Sequence, residues 1–398
     1  MTDPTPAAAR PRSPLLVLFL VVVIDLIGFG IVLPLLPRYA KEYAASPLMT
    51  GVIMASFSAM QFVFAPFWGR LSDRHGRRPI LMVGLFGSVL SYTLFGLADS
   101  LVVLLVSRIA AGFFGATIGA AQAYIADVTD AKERGRGMAV IGAAFGLGFT
   151  VGPAIGGIAS GWHRYAPGFI AAGLSAFALT LAMVALPEPP RHAARAERSL
   201  LDRTAIRHAL AMPTIPLILL LQFGATFAFA SFESTLSLFT QAQWRYDERH
   251  NGCVFTFIGL VLVIAQGGIV RRLMPKVGEL NFVVRGTLLM ALGLGALAFV
   301  PDLALLLVAL AVAVLGFAMV TPSLSSLLSR RTPQSTQGEV LGLGQSMLSL
   351  ARILGPLWGN WLFGVTWGLP YMVAGFLLLI ATVLASVLKR TPVADASA

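Results

Sequence analysis

The sequence predicts an all-α membrane protein of twelve transmembrane helices, arranged as two six-helix repeats. Three observations carry this expectation. Of 398 residues, 57% are hydrophobic and 12% charged, with a mean hydropathy of +0.81; an average soluble domain is about half apolar and about a quarter charged. Apolar runs recur along the whole chain at about twenty residues each, the length a helix needs to cross roughly 30 Å of hydrocarbon. Lysine and arginine then sort by side, with 21 in the segments assigned to one face, 5 in those assigned to the other and three inside spans. That asymmetry places the basic face and both termini in the cytoplasm, as expected for a multi-pass protein of the inner (plasma) membrane.

The elements follow in order. A polar arm, 1–14, carries Arg10 and Arg12, and the apolar run after it continues to Pro37. That is longer than a secretory h-region, so it reads as a retained first span. Hydropathy places the spans at 15–37, 50–68, 79–98, 101–125, 137–160, 168–187, 214–240, 252–270, 282–300, 303–328, 339–363 and 369–388. The hydrophilic segment 188–213, with five arginines, separates an N-terminal half, 15–187, from a C-terminal half, 214–390; residues 391–398 form a cytoplasmic tail. Two halves invite a search for a repeat. Arg70, Leu71 and Gly76 match Arg272, Leu273 and Gly278 at an offset of 202, as Gly142 matches Gly344. Gly152, Pro153 and Gly156 match Gly355, Pro356 and Gly359 at 203. Both copies start on the same face, the arrangement of halves related by an axis along the membrane normal. The second copy has Pro275 where the first has Asp73.

Between spans 2 and 3 lies Gly69-Arg-Leu-Ser-Asp-Arg-His-Gly-Arg-Arg-Pro79, with Arg70, Arg74, Arg77 and Arg78 around the single acid Asp73. Four arginines hold this turn in the cytoplasm. Gly69 and Gly76 permit close approach or a sharp turn, and Pro79 suits a first helical turn. An acid kept among so many bases has either a specific partner, such as a helix N-terminus, or only a place in a solvated basic loop. The stretch resembles the signature loop between spans 2 and 3 of major facilitator superfamily transporters. Over nearly the whole chain the resemblance is nearest to the twelve-span drug/proton antiporters that include the tetracycline exporters. It implies that Asp73 and Arg77 belong to a cytoplasmic latch that holds the outward-facing state. The segment Tyr124 to Gly135 is similar to the family segment facing that loop, which implies that Asp127 accepts from Arg77, with Arg134 beside them.

Charged groups inside the spans are the candidates for chemistry. Asp25 lies about ten residues into span 1, where a charge costs on the order of 2.5–3.5 kcal/mol and must face the bundle interior. Its segment, with Gly28, Gly30, Pro34 and Pro37, resembles the span 1 motif whose acid couples protons. Asp25 is either that proton carrier or a buried acid bonded permanently to a neighbour. Arg108 in span 4 matches the family's intramembrane arginine. It stays protonated, so it must pair or reach water. Beside Asp25 it would either exchange partners on protonation or hold spans 1 and 4 together as a fixed pair.

Glu233 in span 7 reads as a second proton site, a substrate contact or a partner of Arg352 in span 11. Gln61, Gln122, Phe229, Phe232, Gln345 and Arg352 are the candidates for a substrate cavity, and Gln222, Gln266 and Asn360 are further polar groups within spans. In span 5, Gly148, Gly152, Pro153, Gly156 and Gly157 fill every fixed position of the family's antiporter motif. Pro153 removes a helix hydrogen bond, and the glycines clear one face for a second helix.

Other chemistries are excluded by what the spans lack. The five histidines fall in loops or the linker, none at metal-ligand spacing with the single cysteine, Cys253. No span combines a nucleophile, a base and an orienting acid, and glycine pairs such as Gly146 and Gly148 follow no strand, so enzyme and nucleotide-loop readings fail. The net charge of +11 sits in short loops, where it sets topology rather than binding nucleic acid. The expectation is a monomeric, cofactor-free transporter that exports small amphipathic compounds in exchange for protons. A sugar or metabolite exporter is the alternative within the superfamily, and a non-transporting membrane sensor is the alternative outside it. Residues 80–98 hold no acid where tetracycline exporters carry one. The resemblance therefore does not extend to tetracycline as substrate, and a second proton would fall to Glu233.

Overall fold

The computed structural model describes residues 14–115, 118–129, 134–189, 207, 211–212, 214–333 and 336–390. Nearly all of the arm, most of the linker and the whole tail expected from the sequence lie outside them. Among the described residues the chain is helical without strands, and eleven helices are long and apolar enough to cross a membrane. They are Pro14–Glu42, Pro47–His75, Arg77–Gly96, Leu101–Val128, Ala166–Ala185, Ile215–Trp244, Glu248–Val277, Glu279–Leu297, Leu303–Arg330, Glu339–Val365 and Leu369–Lys389. Span 5, Arg134–Ser160, completes the twelve; its described apolar part is Gly146–Ser160.

Span 1 runs beyond the Pro37 at which the apolar run ended. A 3₁₀ turn, Leu33–Leu35, absorbs Pro34, and Pro37 sits at the start of the next helical turn, where its missing N–H costs nothing. Span 8 carries a six-residue π segment, Ala265–Val270, around Gln266, Gly267 and Gly268.

The expected basic turn is not a loop. Span 2 stays helical to His75, span 3 starts at Arg77, and Gly76 alone makes the corner with φ +104°. Only glycine adopts that conformation without strain. Its repeat partner Gly278 makes the same corner between spans 8 and 9 with φ +86°.

Each half has its own core. In the C-terminal half one large cluster runs from Ile215 and Leu219 through Phe232 and Phe239 to Met290, Leu310 and Leu378, with a small one around Val270, Phe282 and Met319. In the N-terminal half it splits into two large clusters and a small one of Val23, Leu26 and Ala144. Val17, Trp68, Leu81 and Tyr124 pack near the basic end, and Ile31, Tyr39, Phe95 and Leu104 pack near the opposite end. Between these levels lie Asp25, Ser88, Arg108 and Ser175, so the polar groups interrupt the apolar core at mid-membrane.

The halves meet along two pairs of helices. Span 2 lies on span 11, where a Cβ on Gly51 would stand 2.7 Å from the Pro356 carbonyl, and span 5 lies on span 8, where one on Gly157 would stand 3.1 Å from Gly252 Cα. Two polar bridges join the halves at the end remote from the basic segments. Arg38 pairs with Glu248 at 2.6 Å, and Lys41 donates to Gln241 at 3.3 Å. At the basic end, Ile118–Val128 and Arg271–Val277 pack against elements of their own half. The molecule is therefore closed at the remote end.

Candidate functional site

The glycines of span 5 bring Asp25 into position. A Cβ on Gly148 would meet the Leu26 carbonyl at 2.7 Å, one on Gly152 would meet Gly30 Cα at 2.6 Å, and one on Gly156 would meet the Ile31 carbonyl at 2.6 Å. Glycines four apart thus seat span 1 backbone to backbone on span 5. Gly157, one residue on, faces span 8 instead. The motif therefore clears two faces where one was expected, and it places span 5 between the helix that carries Asp25 and the other half.

Asp25 itself is partly exposed. Its Oδ1 accepts from the Ser175 hydroxyl of span 6 at 3.2 Å, and the Ser88 hydroxyl of span 3 lies within bonding reach. Arg108 is not its partner. That guanidinium is 1% exposed; Nε reaches the Ser107 hydroxyl at 3.4 Å, and the group lies 5.3 Å from the centre of the Phe95 ring. One terminal nitrogen, Nη2, has no hydrogen-bond partner. The buried Tyr92 stands electrostatically close to both Asp25 and Arg108. A fixed ion pair between spans 1 and 4 is thus absent. The sequence could not reveal this, because helical periodicity gives a residue's face and not the neighbour across it.

Glu233 and Arg352 are each other's nearest charged neighbours across spans 7 and 11, yet they stand outside ion-pair distance. Arg352 is exposed and Glu233 partly so. Of the cavity candidates, Gln345 is exposed on the same span as Arg352, and Gln122 is partly buried. Gln61 donates to the Gly115 carbonyl at 3.0 Å and so ties span 2 to span 4. Phe229 stacks on Phe317 with centroids 3.9 Å apart. Phe232 corrects an expectation: at 1% exposure it belongs to the core, because its position one residue before Glu233 turns it about 100° away.

The basic end carries a second constellation. Arg77 Nη1 pairs with Asp73 at 2.5 Å and donates to the Ser72 hydroxyl at 3.2 Å, while its Nε donates to Asp127 Oδ2 at 2.9 Å. Glu188, which sequence reading left in the linker, is part of this network. Its Oε1 accepts from the Arg77 backbone N–H at 2.7 Å and its Oε2 from that of Arg78 at 3.0 Å. A carboxylate over the first turn of span 3 satisfies two orphan donors and the helix dipole together. The Arg78 guanidinium reaches the Met183 carbonyl, and Tyr124 donates to the Pro187 carbonyl at 2.7 Å. The one available signal was Pro187-Glu188-Pro189, an acid held rigidly just after a span. Arg74 is exposed in the last turn of span 2, where a cation suits the dipole, and Gly69 faces open space. Arg134 opens span 5, and its side chain lies outside the described residues.

Comparison with known proteins accords with this architecture. The family model of the Major Facilitator Superfamily matches residues 18–356 and 269–398. The class B tetracycline resistance protein of Escherichia coli is 30% identical over 342 residues, 85% of each chain. Multidrug resistance protein 2 of Bacillus subtilis (strain 168) is 29% identical over 375 residues, 92% of each chain. Among solved structures, the human organic anion transporter MFSD10 (TETRAN) superposes with a TM-score of 0.74 at 27% identity, covering 95% of this chain and 100% of that one. A D-xylose-proton symporter, at 19% identity and a TM-score of 0.75, shares the fold over 96% of this chain and 98% of its own. The chain belongs to the Major Facilitator Superfamily, in the branch that holds the tetracycline and multidrug resistance proteins.

Proposed function

We propose that this chain is a proton-coupled exporter of small amphipathic, drug-like compounds, working as a monomer by alternating access of its halves, 15–187 and 214–390. The lysine and arginine asymmetry supports an inner-membrane orientation with both termini cytoplasmic. On that orientation the remote end is external, and the bridges that join the halves there suit the inward-facing member of the alternating-access pair. The observation that carries the reading is Asp25: a mid-membrane carboxyl, partly exposed and held by hydroxyls rather than by an arginine. A carboxylate locked to a cation keeps its charge, whereas one bonded to serine hydroxyls can gain and lose a proton while its surroundings stay in place. Protonation makes span 1 neutral at mid-membrane and eases its passage between the two states. Each charge moved gains about 2.3 kcal/mol per 100 mV of membrane potential.

Conversion to the outward-facing form breaks the Arg38–Glu248 bridge and closes the basic end. There Asp73, 49% exposed, meets a helix N-terminus of the other half, while Arg77 holds it in place from behind. The test is proton release on adding a panel of amphipathic dyes to detergent-solubilised protein. Wild type releases protons, and Asp25→Asn does not. Equal release by the variant would remove Asp25 from the mechanism.

A further inference from the structure

The ionisable groups at mid-membrane are Asp25, Arg108, Glu233 and Arg352. Arginine keeps its proton under all physiological conditions, while a carboxyl can be neutralised. The net charge of this set therefore runs from zero to positive and is never negative. Of the two cations, Arg108 is sealed in at 1% exposure and Arg352 is exposed.

Exposure on a span has two meanings, lipid or cavity, and the helix phase separates them. On span 11 the exposed apolar side chains are Leu354, Trp358, Trp361 and Val365. At about 100° per residue, Arg352 points roughly 120–180° away from all four. Gln345, two turns earlier, shares its direction to within about 20° and is likewise exposed. On the flanks of that direction, Gly355 packs on Phe227 and Ala230 of span 7, and Pro356 packs on Gly51 of span 2. Arg352 therefore faces the space between the halves. Span 7 turns Glu233 and, one turn before it and about 40° round, the partly buried Phe229 to the same side; Phe229 stacks on Phe317 of span 10.

We propose that Arg352, with Gln345 two turns along the same face, is an anion subsite of the central cavity, and that the preferred substrates are aromatic or amphipathic compounds carrying a carboxylate or sulfonate. The proposal rests on the exporter reading above and names the substrate class of that site. Guanidinium presents a planar fork that fits either group, and the aromatic wall takes the apolar body. Glu233 tunes the subsite. Charged, it offsets Arg352; protonated, it leaves Arg352 uncompensated, so an anion binds with proton uptake at Glu233, while the proton exchanged for substrate is the one on Asp25. Among the described residues, the other titratable groups on elements packed against span 7 are Tyr371 of span 12, buried against Phe239, and the helix-end groups Arg38, Tyr39, Lys41, Glu42, Arg330, Glu339 and Lys389. None of these is an electrostatic neighbour of Glu233.

The experiment reconstitutes the full chain in proteoliposomes and measures uptake of one radiolabelled naphthyl scaffold bearing a carboxylate, a primary amide or a trimethylammonium group. Wild type should favour the carboxylate over the ammonium by about tenfold or more in kcat/KM, the value of one charge-assisted hydrogen-bonded contact. Arg352→Gln should lower the carboxylate-to-amide ratio by about tenfold through KM, and Arg352→Lys should restore part of it. Glu233→Gln should hold the carboxylate preference to higher pH. A wild-type preference for the ammonium overturns the proposal and leaves the exporter reading standing, as does an unchanged ratio in Arg352→Gln. If no scaffold moves, the exporter reading fails; thermal-shift binding of the carboxylate that depends on Arg352 would still uphold the subsite, and its absence would overturn that too. Should Arg352→Gln not fold, the wild-type ranking of the three scaffolds decides.

Discussion

The two halves turn the same corner with opposite charges. In the N-terminal half, Gly76 ends span 2, Arg77 opens span 3, and Arg77 pairs with Asp127 near the end of span 4. In the C-terminal half, Gly278 ends span 8, Glu279 opens span 9, and Glu279 pairs with Arg330 at the end of span 10, 3.2 Å away. These residues correspond at the repeat offsets of 202 and 203, with the sign of the pair reversed. A hydroxyl supports each cornerstone: Ser72 beside Arg77, and Ser326 at 2.5 Å from Glu279. The backbone corner and the bridge between adjacent helices thus persist through the repeat, while the polarity does not. The halves differ in what surrounds the pair. Arg77 is 18% exposed and meets Asp73 and Asp127, with Glu188 on its own backbone; Arg330 is 74% exposed with Glu279 alone. Only the first corner gathers several carboxylates around an arginine that is itself largely withdrawn from water, an arrangement in keeping with the latch proposed above.

That contrast can be broken in order of expected effect. Arg77→Ala should nearly abolish transport and lower the melting temperature of the detergent-solubilised protein, because it strands two carboxylates; Arg330→Ala should leave both within error, an exposed pair contributing at most about 1 kcal/mol. Equal losses would remove the distinction between the corners. Exchanging partners sharpens the point. Glu279→Arg with Arg330→Glu should retain activity, since Ser326 both donates and accepts. Arg77→Asp with Asp127→Arg should fail, because Asp73 and Glu188 then face a new acid.

Next come the corner glycines. Each substitution to alanine pays backbone strain of about 1–3 kcal/mol, but a Cβ on Gly76 also stands 2.5 Å from Glu188 Oε1, whereas one on Gly278 has its nearest neighbour, Asn281, at 4.0 Å. Gly76→Ala should therefore lower the melting temperature further than Gly278→Ala, and the reverse order would contradict the role given to Glu188. A modest effect is expected at Asp247, far from both corners, which caps span 8 by accepting from the His250 backbone at 2.9 Å. That bond holds its carboxyl below the ordinary aspartate value. A depressed native value means stability that is present above the unfolded aspartate range and lost as pH falls through the native one. Asp247→Ala should cost about 1 kcal/mol at neutral pH and nothing at strongly acidic pH, as read by melting curves across pH.

Twelve spans, the gathering of basic residues at one end and the repeat were legible in the sequence because each rests on composition or spacing. So was the crowding of glycines in span 5, though not its two-sided use. The partners of the charged side chains were harder to read. Arg108 matches the family's intramembrane arginine, which left its distance from Asp25 open, and Tyr92 and two serines stand next to Asp25 instead. Glu188 looked like linker by hydrophilicity, yet it caps span 3. Phe232 looked like cavity by proximity to Glu233, yet it faces the core. In each case the missing quantity was the rotation of one helix against another.

By itself the sequence determined that this is a twelve-helix membrane protein with a basic face, an internal repeat and four charges it must keep away from lipid. Those follow from solvation, since hydrocarbon accepts apolar runs and penalises charge whatever the packing. Tertiary structure alone decided that Asp25 is held by hydroxyls, that Arg352 looks into the space between the halves, and that the second corner mirrors the first with its charges exchanged. Contacts between residues more than a hundred positions apart are fixed by how whole helices rotate and settle against each other, and no local pattern encodes that rotation.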